Sequence, residues 1–508
     1  MKIRIHSQLS HKNSPAESPA MRKLFFVQQT LFWILLFCFA ATSAAVTSAE
    51  VASAPDISSQ PGEDWGPFLG PEGNGRSGLT DAVVPWPSAG PPVVWHCALG
   101  QGYCAPAVAR GRAVVFDRTG ETMRLRCLEA ETGRQIWERF YPADYTDTFG
   151  YDGGPRASPV IVEDRVLTFG PEGRLECRAL LDGASLWHVD SSSVYHVVKN
   201  FFGVGAAPLV VSAGGQRLVV VQIGGSRPGS TPSAPDRLDR VQGLDSGLVA
   251  FDLETGRECW RSSDQLASYS APMVGSSGGK DCVLAWLREK FLVIDPASGA
   301  VLHAFRWRAD ELFSVVAASP VSVGEEVLLS ETYGPGSVLL DLKKGGLEVL
   351  RKDPDNSRPR SALKAHWATP IFYKGHLYGS SGRNSGDAQL VCADWKTGTI
   401  LWSEPGLGRS SAVLVGSSRG AHLIVLGEFG DLVLVKAVPE GFLTVSRSRP
   451  VDPAAAQGNA VQKPLDNLQR ANGELLAAPC WAAPVVAHGY LYVRGEGRLV
   501  CLDLKEKR

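Results

Sequence analysis

The sequence is organised around a degraded repeat of two short strands joined by a tight turn, the second strand ending on tryptophan. Its clearest copy, residues 125–137, runs Leu-Arg-Cys-Leu-Glu-Ala-Glu-Thr-Gly-Arg-Gln-Ile-Trp. Units of this kind with a period of about 40 to 50 residues are typical of propeller blades. The corresponding position is filled by Trp137, Trp187, Trp260 and Trp402 in the clear copies and by His303, Leu350 and Val445 in the weaker ones.

Each unit is preceded by a small residue and usually a proline, followed by a short apolar strand. Proline is tolerated at the first residue of a strand, where its missing N–H costs no central ladder bond. A small residue before it suits the innermost strands of a radial array, which converge on a channel. Eight openings are present: Ala105-Pro106, Ser158-Pro159, Ala207-Pro208, Ala271-Pro272, Ser319-Pro320, Thr369-Pro370, Ser411-Ala412 and Ala483-Pro484.

The two ends of the repeat array complement each other. The last unit ends at Arg508, before its turn and final strand, and residues 92–95 form a strand ending on Trp95 that has no preceding partner. Pairing this strand with the last unit would close the ring and leave no blade edge open. The sequence therefore predicts an all-β, eight-bladed β-propeller of four-stranded blades, with the last blade closed by the N-terminal strand.

The N-terminal region has the pattern of a secretory signal. Met21, Arg22 and Lys23 precede an apolar run over 24–41 and small residues over 42–45. This favours a signal peptide and export to the periplasm or cell envelope, the alternative being an uncleaved membrane anchor. Translation could start at Met1 or Met21. We predict an extension and signal over 1–45, a linker and head segment over 46–90, and the propeller over 91–508.

Charge and cysteine placement exclude several kinds of site. With 51 basic and 52 acidic residues, the net charge of −1 gives no electrostatic basis for binding nucleic acid. No Cys-x-x-Cys occurs, so zinc and thiol-redox sites have no support. Cys97 and Cys104 are close enough in sequence to pair. Four other cysteines share one strand position in different units, which predicts small buried hydrophobes: Cys127, Cys177, Cys392 and Cys501.

Candidate ligand-binding residues lie in the loops and just before the strand openings, where they should face one end of the channel. Arginine binds carboxylates bidentately and indoles stack on flat rings, so this set suggests an anionic aromatic ligand. The alternative is that these side chains fill the channel and bond to one another. No catalytic or metal-binding set is predicted. The candidates are Arg156, Asn200, Tyr269, His366, Trp367, Arg383, Arg409 and Trp481.

The repeat form Ala/Cys-x-Asp/Glu-x-x-Thr-Gly-x-x-x-Trp resembles the pyrroloquinoline-quinone (PQQ) repeat of bacterial quinoproteins. The head segment, Asp64–Ser77, is similar to the start of exported PQQ-like propellers, with its Trp-Gly-Pro-Phe-Leu-Gly-Pro run. The resemblance covers nearly everything after residue 90. The family it implies contains quinoprotein alcohol dehydrogenases and non-catalytic scaffolds, such as the lipoprotein of the outer-membrane β-barrel assembly machinery.

The two branches imply different sites. The dehydrogenase branch implies PQQ against a vicinal disulfide, a calcium or lanthanide ion held by Glu, Asn and Asp, and an Asp base. Adjacent cysteines and Cys-x-x-Cys-His are absent from this sequence, and Asp152, Asn200 and Glu331 are metal-ligand candidates by residue type alone. The scaffold branch implies a lipoprotein signal, whereas bulky Phe37 precedes Cys38.

The expectation is an exported binding or scaffold module of the cell envelope. Its partner would be an envelope protein, a peptide, a glycan or a small anionic ligand. The alternative is a PQQ- and calcium-dependent dehydrogenase of alcohols or sugars.

Overall fold

The structure is a computed structural model that describes residues 62–505 apart from 83, 148, 231–234, 344, 355–360 and 457–472. The predicted signal over 1–45 and residues 46–61 of the predicted linker and head segment lie outside the described residues. Within the described residues, no helix has the length and apolarity needed to span a bilayer.

The described chain folds into eight antiparallel sheets of four strands each, arranged as an eight-bladed propeller. This confirms the predicted fold. In each of the first seven blades the four strands follow one another in sequence from the channel outward. The short connecting helices are α1 (Ser191–Tyr195), α2 (Pro453–Ala456) and a 3-10 helix at Pro235–Arg240.

The innermost strands begin after the small-residue openings and are β2 (Ala107–Ala109), β6 (Val160–Val162), β10 (Leu209–Ala213), β14 (Met273–Ser277), β18 (Val321–Val323), β22 (Ile371–Tyr373), β26 (Ser411–Ser417) and β30 (Val485–Ala487). The second strands are β3 (Arg112–Thr119), β7 (Arg165–Phe169), β11 (Gln216–Gln222), β15 (Lys280–Trp286), β19 (Glu326–Glu331), β23 (His376–Ser381), β27 (Gly420–Leu426) and β31 (Tyr490–Gly495).

The third strands are β4 (Thr122–Glu129), β8 (Arg174–Ala179), β12 (Leu248–Asp252), β16 (Lys290–Ile294), β20 (Gly336–Asp341), β24 (Gln389–Asp394), β28 (Leu432–Lys436) and β32 (Arg498–Asp503). The outermost strands are β5 (Gln135–Pro142), β9 (Ser185–Asp190), β13 (Glu258–Ser262), β17 (Val301–Arg306), β21 (Glu348–Lys352), β25 (Ile400–Glu404), β29 (Thr444–Ser448) and β1 (Val93–Ala98).

The last blade is closed by the N-terminal strand, as predicted. Its strand order is β1, β32, β31 and β30, so β1 takes the outermost place. The strand pairs antiparallel with β32, and Trp95 lies opposite Cys501. The two ends of the propeller are thus joined by a backbone ladder.

The repeated tryptophans pack between neighbouring blades. The Trp95 ring lies against Gly133 in the turn of the first blade, and its Nε1 donates to the Ala130 carbonyl at 2.9 Å. A Cβ at Gly133 would fall 2.7 Å from that ring, and the residue has a φ of +71°, so only glycine fits the turn. The same contact recurs for Trp137 on Gly183, confirming a structural role for the series.

The register corrects two of the predicted tryptophan-equivalent positions. In β21, Arg351 rather than Leu350 pairs with the third strand, opposite Leu339. In β29, Ser446 rather than Val445 does so, opposite Leu434. Leu350 and Val445 are instead the extra residues of β-bulges. The guanidinium of Arg351 accordingly covers the turn glycine of the next blade.

The two cysteine predictions have different outcomes in the structure. The four cysteines at the shared strand position are fully buried, which confirms them as core hydrophobes: Cys127, Cys177, Cys392 and Cys501. Burial raises the pKa of the Cys127 thiol to about 12. Cys97 and Cys104 carry free thiols, so the disulfide considered between them is not formed in this structure.

The head segment crosses the channel. Trp65 is 3% exposed and exchanges two backbone hydrogen bonds with Val108 of β2. Farther along, the Ser77 N–H donates to the carbonyl of Leu414 in β26, 2.8 Å away. Because these contacts fall beyond the first residue of each inner strand, the segment occupies the channel away from the end where those strands begin.

Candidate functional site

A cavity of about 510 Å³ opens at the end of the channel where the inner strands begin. The structure brings seven predicted site residues into its wall: Arg156, Tyr269, His366, Trp367, Arg383, Arg409 and Trp481. Asn200 is not among the lining residues, and its side-chain amide donates to the Ala267 carbonyl at 2.9 Å. Ligand binding by the seven stays a prediction.

Aromatic rings dominate this wall. They form one connected network, in which neighbouring centroids lie between 4.3 and 6.2 Å apart. We call the set the aromatic mouth. It comprises Tyr103, Phe149, Tyr151, Phe201, Phe202, Tyr269, Phe313, Tyr333, His366, Trp367 and Trp481.

One side of the aromatic mouth is held by a buried carboxylate. The guanidinium of Arg409 lies 4.8 Å from the ring centroids of both Trp367 and Trp481. Glu428, which is 3% exposed, accepts from the backbone N–H of Arg409 at 2.9 Å, from its Nε at 3.0 Å and from Trp481 Nε1 at 2.9 Å. Burial by itself raises the pKa of Glu428, but these donors outweigh it and lower the pKa to about 2.

The other two arginines of the wall are arranged in the same way. Arg156 lies over the rings of Tyr103 and Phe202 at 5.7 and 5.6 Å, and its Nη2 is 3.0 Å from Asp147. Arg383 lies 4.3 Å over Tyr333 and 3.5 Å from Glu311. Every one of the three guanidinium groups thus covers a ring and faces a carboxylate. The site is balanced in charge, which weakens the prediction of an anionic ligand.

Two polar groups of the wall, the His366 imidazole and the Trp367 indole, are uncharged. Burial, together with the charges of Arg409 and Arg383, lowers the pKa of His366 to about 3, so its imidazole is neutral at ordinary pH. Its Nε2 lies 3.1 Å from the Tyr333 hydroxyl. The buried indole N–H of Trp367 has no hydrogen-bond acceptor among the described residues. A buried donor of this kind favours a ligand that supplies an acceptor.

The metal-ligand candidates have separate partners. Asp152 accepts from the N–H groups of Gly102 and Gly154 at 2.8 and 3.0 Å, and Glu331 accepts from Ala309 N–H at 2.9 Å. In the part of the chain that the structure describes, His, Cys, Asp and Glu side chains form no cluster of three suited to a metal. These residues therefore do not fit the calcium set of the dehydrogenase branch.

Glu331 is a buried carboxyl, and one of its oxygens has no hydrogen-bond partner among the described residues. Burial, only partly offset by the Ala309 N–H and Arg308, raises its pKa to about 7. The folded state therefore holds a proton that the unfolded chain releases near pH 4.3, and stability falls as pH rises from there through about 7. We expect Glu331→Gln to melt about 1 to 3 °C above the wild type at pH 8.5 and level with it at pH 4.

Thermal melts at both pH values test this prediction. Glu121→Gln is the control because the Glu121 side chain is 91% exposed. This variant should melt at the wild-type temperature at both pH values. An equal melting temperature for Glu331→Gln and wild type at pH 8.5 would contradict it.

The family model described as "Outer membrane protein assembly factor BamB" matches residues 58–227 and 94–419. The chain belongs to this family of PQQ-like propellers. Among curated proteins, none matches the sequence.

Among solved structures, one from each branch is similar to this chain, and the first of them shares its fold. BamB from Moraxella catarrhalis is 14% identical, with a TM-score of 0.51 over 82% of this chain and 98% of that one. Quinohemoprotein alcohol dehydrogenase from Comamonas testosteroni is 13% identical, with a TM-score of 0.45 over 88% of this chain and 81% of that one.

Sequence reasoning missed several residues of the site. Tyr103 precedes the Ala105-Pro106 opening by two residues, as Tyr269 and Trp481 precede theirs, so the same rule would have found it. Glu428 lies just after the end of β27, but its role depends on burial beside Arg409. Phe68 of the head segment also reaches the cavity, and no local signal in the sequence indicates this.

Proposed function

We propose that this PQQ-like propeller is an exported binding module of the cell envelope, and that its aromatic mouth receives an aromatic side chain of a polypeptide partner. The observation that carries the proposal is a cavity walled by rings whose three arginines are each paired with a carboxylate. The signal-like N-terminus and the family description, an outer-membrane protein assembly factor, support an envelope protein as partner.

The charge arrangement selects among ligand classes. A cationic ligand would compete with guanidinium groups that already cover the faces of Tyr333, Trp367 and Trp481. A carboxylate ligand would have to displace Asp147, Glu311 or Glu428 from the arginines. A neutral, flat ring meets neither cost, and it gains about 0.5 to 1.5 kcal/mol per well-placed aromatic contact.

The surroundings favour a polypeptide over a free small molecule. Phe149, Tyr151 and Phe313 belong to the aromatic mouth yet are 44%, 46% and 49% exposed. Exposed aromatics contiguous with a pocket are typical of protein interaction sites, in which an anchor residue enters the pocket and flanking residues cover the rim. The indole N–H of Trp367, which has no acceptor in the described part of the chain, could bind a backbone carbonyl beside that anchor.

Calorimetric titration of the mature chain tests the proposal. The probes are N-acetyl-phenylalanine amide, its leucine and lysine counterparts, maltose, and PQQ with calcium. We expect the phenylalanine amide to bind at about 0.1 to 1 mM and the leucine and lysine amides at least tenfold more weakly. Tight, calcium-dependent binding of PQQ would instead support a quinoprotein dehydrogenase. Preference for maltose would indicate a glycan ligand.

The indole N–H of Trp367, which has no acceptor among the described residues, can be removed without removing a ring. Trp367→Phe keeps a ring in the wall but removes the donor, so we expect phenylalanine-amide affinity to fall about fivefold, as for the loss of one neutral hydrogen bond. Trp137→Phe is the matched control, because Trp137 packs between blades and donates to Leu180 rather than facing the cavity. Equal affinities for the two variants would show that the N–H takes no part in binding.

A further inference from the structure

We infer that Phe68 and Leu69 of the head segment form the floor of the cavity and determine how large a side chain the aromatic mouth accepts. The inference rests on the proposed function for its ligand but on separate observations for its geometry. Both residues line the 510 Å³ cavity, although they precede the propeller repeats in sequence.

The blades alone do not provide a floor. At the level of the cavity, the openings just before the inner strands contribute small residues, among them Ala105, Ser158, Ala207 and Ala483. Directly behind Phe68 and Leu69, a void of only about 10 Å³ remains between them and the starts of the inner strands. These two side chains therefore end the cavity, which is closed at its base.

The floor is rigidly anchored. Trp65 bonds to Val108 in both directions at 2.6 and 2.9 Å, and Gly66 accepts from Ile161 N–H at 3.0 Å. On the other side of the channel, Leu414 N–H donates to the Gly75 carbonyl at 2.9 Å. Since hydrogen bonds on both sides hold the segment, a ligand cannot push the floor aside at low cost.

The backbone at the floor is strained. Leu69 has a φ of +61° while being 7% exposed, a left-handed conformation that is unfavourable for residues other than glycine. Its carbonyl accepts from Gly75 N–H at 2.9 Å, which holds it in place. Strain kept at a cavity wall is a reason to look for a function of that conformation. Here the conformation places a leucine under the aromatic mouth.

A closed base has a consequence for the partner. The site can take a side chain or a chain end, but an extended chain cannot be threaded through it. The depth available should then set an upper limit on ring size, with one ring fitting and two collinear rings meeting Phe68.

Probe selectivity of the full chain tests the floor. Wild type should bind N-acetyl-phenylalanine amide at least tenfold more tightly than the 4-phenylphenylalanine amide. In Phe68→Ala, the affinity for the longer probe should rise at least tenfold, while the affinity for the shorter probe should change less than threefold. Leu79→Ala is the control: Leu79 is 3% exposed and packs in the core beside the head segment, so its loss should lower stability and leave the probe ratio unchanged.

A second measurement needs no ligand. Phe68→Cys should react through the mouth with methyl methanethiosulfonate, above the background of the native thiols, whereas Leu79→Cys should stay unreactive. An unreactive Phe68→Cys, or an unchanged probe ratio in Phe68→Ala, overturns the floor. If wild type binds neither amide while Phe68→Cys is labelled, the floor stands and the proposed aromatic ligand is wrong.

Discussion

Replacing Val93–Ala98 by a Gly-Ser segment of equal length is expected to make the propeller aggregate. At the other junctions the chain runs directly from the outer strand of one blade to the inner strand of the next, but the last and first blades are joined through β1. The replacement removes the ladder to β32 and leaves that strand as an open edge, a known route to aggregation.

Replacing this strand also removes a large part of the folding free energy. Trp95 is 8% exposed, covers Gly133 and donates to Ala130, and deleting a buried tryptophan side chain costs about 3 to 5 kcal/mol. That is a large part of the roughly 5 to 15 kcal/mol by which folded domains are stable. The loss falls where the ring is joined end to end, so we expect it to open the propeller.

Size-exclusion chromatography and thermal melts compare this variant with a matched one. The control replaces Ile400–Glu404, another outermost strand, whose Trp402 is 9% exposed and donates to Val438 at 3.0 Å. That control also exposes a strand edge, on β24, but chain continuity into the next blade survives there, so it should melt lower than wild type and aggregate less than the Val93–Ala98 variant. Wild-type elution and melting of the Val93–Ala98 variant would refute the closing role of β1.

Fold and closure could be predicted because their signals are local. Turn glycines, strand-opening prolines and the unpaired strand around Trp95 each specify structure within a few residues. The predicted register was wrong by one residue at Arg351 and Ser446. In those two blades the turn between the third and fourth strands is longer than the Asp-x-x-Thr-Gly turn. Counting from a turn of unknown length cannot place a β-bulge, so the tryptophan-equivalent position was missed by one residue.

The position of the cavity-lining residues was predictable, whereas their charge environment was not. Position relative to the strand openings placed Arg156, His366 and Arg409 at one end of the channel, where they lie. Whether an arginine there is free or neutralised depends on carboxylates brought in by tertiary packing, such as Asp147 and Glu428. Burial decides those pairings, and burial is a property of the folded ring.

Glu428→Ala is expected to collapse one side of the aromatic mouth. The substitution leaves the Arg409 guanidinium, which is 17% exposed, without its carboxylate and removes the acceptor of Trp481 Nε1. Breaking a buried ion pair by removing one partner costs about 3 to 5 kcal/mol. Because both rings beside Arg409 are positioned by these bonds, we expect phenylalanine-amide affinity to fall at least thirtyfold.

A conservative variant separates charge from shape. Glu428→Gln keeps an acceptor for Trp481 and Arg409 but lacks the charge, so it should lose less stability and affinity than Glu428→Ala. The control Glu254→Ala removes a carboxylate that is 48% exposed and bonded to Arg165 and Arg217 on the surface. Surface pairs contribute about 0 to 1 kcal/mol, so this control should bind the probe as wild type does.

The pH dependence of unfolding tests the stabilisation by the Glu428 carboxylate independently of ligand binding. The pKa of Glu428 is about 2 in the folded state and close to 4.3 in an unfolded chain. Its stabilisation is therefore fully present above about pH 4.3 and is lost as pH falls toward 2. Melting temperature should drop more steeply over that interval in wild type than in Glu428→Gln. Parallel curves, together with wild-type affinity in Glu428→Ala, would show that this carboxylate does not organise the aromatic mouth.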